Sequence, residues 1–307
     1  MRVLEFARNP GLRIETYDLA QENGLHAEAF RDSDIVIVHE WNPPELVHRL
    51  LAFREALGFR LLFHDTHHRA SSSPERIRLL AIDRFDGVIA FGEALRKIYR
   101  ENFGIPRVWT LHEAADTAVF YPRPAVEKTE DVVWIGNWGD DERSAEIREF
   151  LLQPAAHLRQ KRFSIYGVRY PEDGLQALRA AGVHYQGYLP NLDAPEVYTA
   201  ARLTVHIPRQ QYSSAMAGIP TIRVFEALAC GIPLLSAPWS DTEELFREGD
   251  FCLVRSAAEM QEAISALLSD RAAAEAQAKR GLETIRARHS CRHRAEQLTS
   301  FCEELFE

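Results

Sequence analysis

The sequence predicts an α/β protein of two domains, each built on a mostly parallel sheet, and three observations carry that reading. Short apolar runs alternate with segments of helical period, the pattern of repeated strand–helix–strand units. The alternation breaks once, at the polar, proline-containing stretch "VFYPRPAVEKTED" (119–131), and then starts again. A length of 307 residues suits two domains at roughly 100–200 residues each.

In the first domain the strand candidates are "DIVIVHE" (34–40), "FRLLFHD" (59–65), "DGVIAFGE" (86–93) and "RVWTLHE" (107–113). Before residue 34 only "MRVLEF" reads as a strand, so this domain is expected to be abbreviated. "PPELVHRLLAFREALG" (43–58) reads as a helix, with prolines at its start and Gly58 just past its end. In the second domain the strands are "DVVWIGNWG" (131–139), "KRFSIYG" (161–167), "LTVHIP" (203–208), "PLLSAP" (233–238) and "FCLV" (251–254). "SAEIREFLL", "DGLQALRAAG", "IRVFEALACG" and "AAEMQEAISALL" supply helices between them. The expected boundaries are 1–122, 123–290 and a C-terminal helix over 291–307 that packs back on the first domain.

The net charge of −9 is spread along the chain and no basic block stands out, which points away from nucleic acid and anionic membrane. No apolar run approaches the about 18 residues that span a bilayer. The N-terminus lacks the pattern of a signal peptide. Cys230, Cys252, Cys291 and Cys302 are scattered without a CxxC, which fits a reduced, cytoplasmic setting rather than a disulfide framework.

Three first-domain runs end alike, in His39–Glu40, His64–Asp65 and His112–Glu113. Parallel strands bring their C-terminal ends to one edge, where ligands bind. The three pairs are therefore expected on one side of the domain. Polar residues that merely end strands are the plain alternative. A zinc or iron shell of imidazoles and a carboxylate is the sharper one, although no HExxH spacing is present. His67 and His68 follow in the loop "THHRASSSPE".

The most informative segment is "GIPTIRVFEALACGIPLLSAPWSD" (218–241). Thr221 is a candidate N-cap and Gly231 a helix stop. Glu226 sits early in a short helix among apolar neighbours. A carboxylate there can accept from both hydroxyls of a diol. The small residues "SSAMAG" (213–218) allow a diphosphate to approach the helix N-terminus. A Glu on a solvated helix face is the competing reading.

"RVFEALACGIPLLSAPW" (223–239) resembles the nucleotide-sugar motif of GT-B glycosyltransferases, of the group-one, family-four type and their spore-maturation-protein-like relatives. The resemblance implies two Rossmann-like domains and a role for Glu226 on the donor ribose. Many members carry a second Glu eight positions earlier on the donor sugar; Gly218 stands there. "VVWIGNWGDDER" (132–143) is similar to the family's first donor-domain strand and Gly loop, which implies Gly136 and Asn137 near the phosphates and Arg143 as a diphosphate cation. "FSIYGVRYP" (163–171) resembles the segment beside the base, with Arg169 a second basic candidate. "YQGYLPNLDAPEVYTAARLTVHIPR" (185–209) and the crossover "HEAADTAVFYP" (112–122) agree. The likeness covers about 110–240 well and the first domain weakly.

The expected activity is transfer of a hexose from a UDP- or GDP-type donor to an acceptor, leaning to retention, with no cofactor and no metal. Thr221, Gly218, Gly136, Asn137, Arg143, Arg169, Arg223 and Glu226 are the donor-side residues; a salt bridge to a neighbouring acid is the alternative for Arg223. His64, Asp65 and His112 are the acceptor-side candidates, for binding and positioning rather than covalent catalysis. Of Trp41, Trp138, Tyr170, Tyr212 and Trp239, all just past strand ends, about one or two are expected to touch ligand. A non-catalytic nucleotide-sugar-binding protein and a metal-dependent hydrolase remain the competing classes.

Overall fold

The computed structural model describes residues 15–19, 25–123 and 127–307. The expected strand "MRVLEF" and the middle of the 119–131 break lie outside the described residues. The chain divides into two compact units. The first runs to Phe91 and adds Leu95–Thr110 and Phe301–Glu307; the second holds Gly92–Ala94 and Leu111–Ser300. The division thus falls after Thr110, earlier than the proline-rich break. From Phe301 on, the terminal helix Cys291–Glu303 groups with the first unit.

Among the described residues the first unit has four parallel strands in the order β1-β2-β3-β4: β1 Ile35–His39, β2 Arg60–Asp65, β3 Gly87–Ala90 and β4 Val108–Thr110. Leu61, Leu62, Phe63, Val88 and Ile89 are buried, as expected of strands covered on both faces. The helix Pro44–Leu57 starts at two prolines and ends at Gly58, whose φ of 82° is left-handed. It buries Leu46, Val47, Leu50 and Leu51, one stripe worth about 1.5–3 kcal/mol per side chain. Trp109 on β4 donates its Nε1–H to Glu304 at 2.7 Å and stacks on Phe301 at 5.6 Å, which holds the chain end on this unit.

The second unit has six parallel strands in the order β10-β9-β8-β5-β6-β7. They are β5 Glu130–Ile135, β6 Phe163–Tyr166, β7 Val183–Tyr185, β8 Ala201–His206, β9 Leu234–Ser236 and β10 Cys252–Leu253. Alternation along β5 serves two cores. Val132 and Trp134 face Phe150, Phe163 and Leu203; Val133 and Ile135 face Tyr198, Phe225 and Leu228. β7 was not expected, because three residues with two exposed carry no period. The "SAEIREFLL" helix is not one regular helix: Ser144–Ile147 passes through a π-turn at Arg148–Leu152 into Gln153–His157. Pro154 has no N–H and crowds the carbonyl four residues back, which accounts for the widened turn. An 18-residue helix, Arg271–Arg288, follows Ala257–Ser269. Among the described residues no helix is long and apolar enough to cross a membrane.

Candidate functional site

In the second unit the strand order reverses at β5. From β5 the chain moves outward to β6 and β7, then returns to β8 on the other side. Ligands of open parallel sheets bind in the crevice outside the carboxyl ends at such a point. Here that crevice is bounded by Gly136–Gly139 after β5 and Ile207–Arg209 after β8. The loop after β5 meets the loop after β6 backbone to backbone. A side chain on Gly167, whose φ is 156°, would run into the carbonyl of Gly136. The Asn137 side chain accepts the N–H of Val168 at 3.0 Å, and the Tyr170 hydroxyl donates to the Gly136 carbonyl at 2.8 Å.

Arg143 spans this crevice as a clamp. It donates to the carbonyls of Asn137 at 2.5 Å and Ile207 at 3.4 Å, and its guanidinium lies 5.1 Å from the Trp134 ring. Burial, and then Arg209, push its pKa down to about 10. It shapes the loop rather than standing free as a cation. Arg209 in turn pairs with Glu142. Arg169 differs: it is exposed, holds a left-handed φ of 61°, and lines a pocket of about 500 Å³ with Trp138, Ser144 and Arg148. A non-glycine residue in that conformation is strained, a feature common at ligand sites.

The helix Ile222–Ala229 follows the same edge. Thr221 occupies the N-cap position, but its hydroxyl makes no bond to the helix N–H groups. It lies instead 3.2 Å from Nε2 of His206, whose Nδ1 is 2.9 Å from the Ser236 hydroxyl. Ser236 donates onward to the Ala237 carbonyl, which can only accept. Nδ1 of His206 must then carry the proton, and Thr221 must donate to Nε2. Burial pushes the His206 pKa down to about 3, so the ring is neutral.

Glu226 is 3% exposed, which removes the reading of a solvated surface carboxylate. Asn191 donates to its Oε1 at 3.1 Å and Arg223 to its Oε2 at 2.5 Å. Each oxygen keeps a further lone pair for a ligand hydroxyl. Burial raises the pKa of Glu226 against the pull of Arg223. Arg223 also donates to Asn191 at 2.8 Å, so the salt-bridge reading applies and it is not a free diphosphate cation. Gly218, with φ 97°, cannot carry a side chain without striking the Thr242 hydroxyl.

In the first unit His39 and His64 are register partners on β1 and β2, their rings edge to face at 5.4 Å. Burial, and then His39, push the His64 pKa down to about 4. Asp65 is fully buried; its oxygens accept the N–H of His67 at 2.8 Å and the hydroxyl of Tyr99 at 2.5 Å. Glu40 pairs with Arg69, whose guanidinium stacks 3.7 Å from the Trp41 ring. The expectation that three His–acid pairs share this edge is corrected. β4 ends at Thr110, and His112–Glu113 belong to the second unit. The apolar period simply ran on past the true strand end. Among the described residues no group of three or more His, Cys, Asp or Glu side chains is placed to hold a metal ion. In the histidine-rich stretch the rings of His67 and His68 lie 4.1 Å apart, and His68 Nδ1 is 2.8 Å from the Ser72 hydroxyl.

His206, Asn191, Thr242 and Glu243 were not singled out from the sequence. His206 ends a strand, the same signal that drew attention to His39 and His64. Asn191 opens a short 3-10 turn, and Thr242 and Glu243 lie in a turn, where no period announces direction.

No curated protein matches the chain. Among solved structures it is similar to the sucrose-phosphate synthase of Thermosynechococcus elongatus, at 18% identity and TM-score 0.67, over 91% of this chain and 76% of that one. It is also similar to Anabaena HepE in complex with UDP, at 16% identity and TM-score 0.68, over 91% and 80%. A glycosyltransferase from Rickettsia africae ESF-5 aligns at 12% identity and TM-score 0.68, over 99% and 88%. At these identities the likeness establishes the GT-B fold. Residues 143–300, just over half of the chain, match the family described as "Glycosyl transferase-like", and the chain belongs to that family.

Proposed function

We propose that the chain transfers a hexosyl group from a nucleoside-diphosphate sugar, of the UDP or GDP type, to an acceptor hydroxyl. The reading includes retention at the anomeric carbon and no metal ion. Glu226 carries it. A buried carboxylate at the switch-point edge, with each oxygen holding one protein donor and one lone pair to spare, suits the two hydroxyls of a ribose. The uncapped N-terminus of Ile222–Ala229 and the exposed Arg169 answer the charge that builds on the leaving diphosphate. HepE in complex with UDP-glucose supports the donor class, and family likeness supports retention. On the acceptor side the reading takes His112 of the second unit; His64 and Asp65 of the first unit are proposed separately as acceptor-binding residues.

Gly218 favours a second reading, a protein that binds the donor without turning it over, because no carboxylate can stand at that position. Incubation with UDP-glucose or GDP-mannose, followed by release of free nucleoside diphosphate, separates the two. Turnover that vanishes in Glu226→Ala supports the enzyme. Tight binding with no release in the presence of candidate acceptors supports the binder.

A further inference from the structure

The strongest unassigned arrangement lies in the second unit, around His112. Its backbone is fixed from the C-terminal helix, where Arg294 Nε donates to the His112 carbonyl at 2.8 Å. Its side chain meets the segment that follows β9. There Asp241 accepts the N–H groups of Leu245 and Phe246 at 3.0 and 2.8 Å, a turn closed by its own carboxylate. That turn presents Glu243. One oxygen of Glu243 accepts the N–H of Glu93, also part of this unit, at 2.9 Å. The other stands 2.9 Å from Nε2 of His112. Both side chains are 14% exposed.

A carboxylate has nothing to donate, so in neutral His112 the proton sits on Nε2 and the lone pair on Nδ1. Nδ1 is buried and has no hydrogen-bond partner among the described residues. A buried acceptor left unpaired is costly, and such atoms ask for an explanation. Asp241 on the same turn and His289 lie close enough to this imidazole to act on it electrostatically, while Arg294 reaches the His112 carbonyl. His289 and Arg294 bond to each other at 2.7 Å, and none of the three is bonded to Nδ1.

We infer that Glu243 is a positioning residue: it locks His112 with Nδ1 bare, so that Nδ1 accepts a hydrogen bond from the hydroxyl of the incoming acceptor, or of water in its place. The inference rests on the glycosyl-transfer reading above and adds to it the group that orients the attacking hydroxyl. The neighbouring Thr242 fills the space at Gly218, so the same short turn delivers two polar groups to this part of the unit.

The test uses the full chain with whichever of UDP-glucose and GDP-mannose it hydrolyses, and imidazole nitrogen spectra by NMR. In the unmutated protein His112 should be the Nε2–H tautomer; in Glu243→Gln and Glu243→Ala the two tautomers should mix. Glu243→Ala should lower kcat for hydrolysis tenfold or more with KM for the donor within twofold. The double variant with His112→Ala should be no worse than His112→Ala alone. Glu243→Gln, which keeps the volume, should lose less and guards against a folding defect in the alanine variant. A wild-type tautomer in Glu243→Gln, or a kcat within twofold of the parent in Glu243→Ala, overturns the inference. Failure of the unmutated protein to bind or hydrolyse either donor sinks instead the reading on which it rests.

Discussion

The hydroxyl oxygen of Thr242 occupies the space into which a side chain on Gly218 would grow. Gly218 also holds a φ of 97°, open to glycine and costly for other residues. Strain of that kind is worth about 1–3 kcal/mol, before any overlap with Thr242 is added. Gly218→Glu should therefore lower the unfolding midpoint and not raise activity. Gly218→Ala combined with Thr242→Ala should recover part of the loss of Gly218→Ala, because only the steric share is relieved. Chemical denaturation of the four proteins checks this.

Glu226 should separate ribose from deoxyribose. The unmutated protein should hold UDP or GDP more tightly than the 2′-deoxy analogue, by about 1–3 kcal/mol, the cost of one missing hydrogen bond to a buried charged group. Glu226→Ala should bind both alike and weakly, and it leaves Arg223 without its carboxylate. Calorimetric titration reads both numbers. A parent that does not distinguish the two sugars would remove Glu226 from the ribose.

Much of this was legible in advance, for identifiable reasons. All nine strands expected within the described residues form, because parallel strands buried on both faces write continuous apolar runs, as in "RLLF" and "VVWI". Pro44 and Gly58 marked their helix ends because their backbone preferences are local. Glu226 stood out because a charged residue inside an apolar helix asks for a partner. What failed was non-local. The end of β4 could not be read, since Trp109, Thr110 and Leu111 continue the period while the chain changes unit. The partners of Arg143, Arg223 and His112 lie on other elements, and no spacing rule reaches from His112 to Glu243.

Glu40 gives a pH prediction. Burial and the nearby Asp65 push its pKa up to about 7, against the pull of Arg69. The folded state then binds this proton more tightly than the unfolded chain, whose Glu titrates near about 4.3. Its contribution is complete below that value and is lost as pH rises through about 7. Glu40→Gln stays neutral throughout. The midpoint of the variant relative to the parent should rise across about pH 5 to 7 and be flat above about 8. His64, lowered to about 4, and His206, lowered to about 3, act with the opposite sign but are common to both proteins.

Trp109 should report the docking of the chain end. Removing Phe301–Glu307 strips its stacked ring and the acceptor of its indole N–H, and takes away Leu305, which is 4% exposed in the intact chain. The loss should be about 2–5 kcal/mol, dominated by apolar area. Glu304→Gln keeps an acceptor and should cost under about 1 kcal/mol. Denaturant unfolding followed by tryptophan emission measures both.

The central claim is that the second unit holds a nucleoside diphosphate at the β5/β8 crevice through Glu226. Thermal unfolding in the presence of UDP, GDP and their sugars tests it most directly. One of these should raise the midpoint as RT ln(1 + [L]/Kd), in a concentration-dependent way, and the shift should vanish in Glu226→Ala. If none of them shifts the unmutated protein at millimolar concentration, or if Glu226→Ala shifts as the parent does, the account is contradicted.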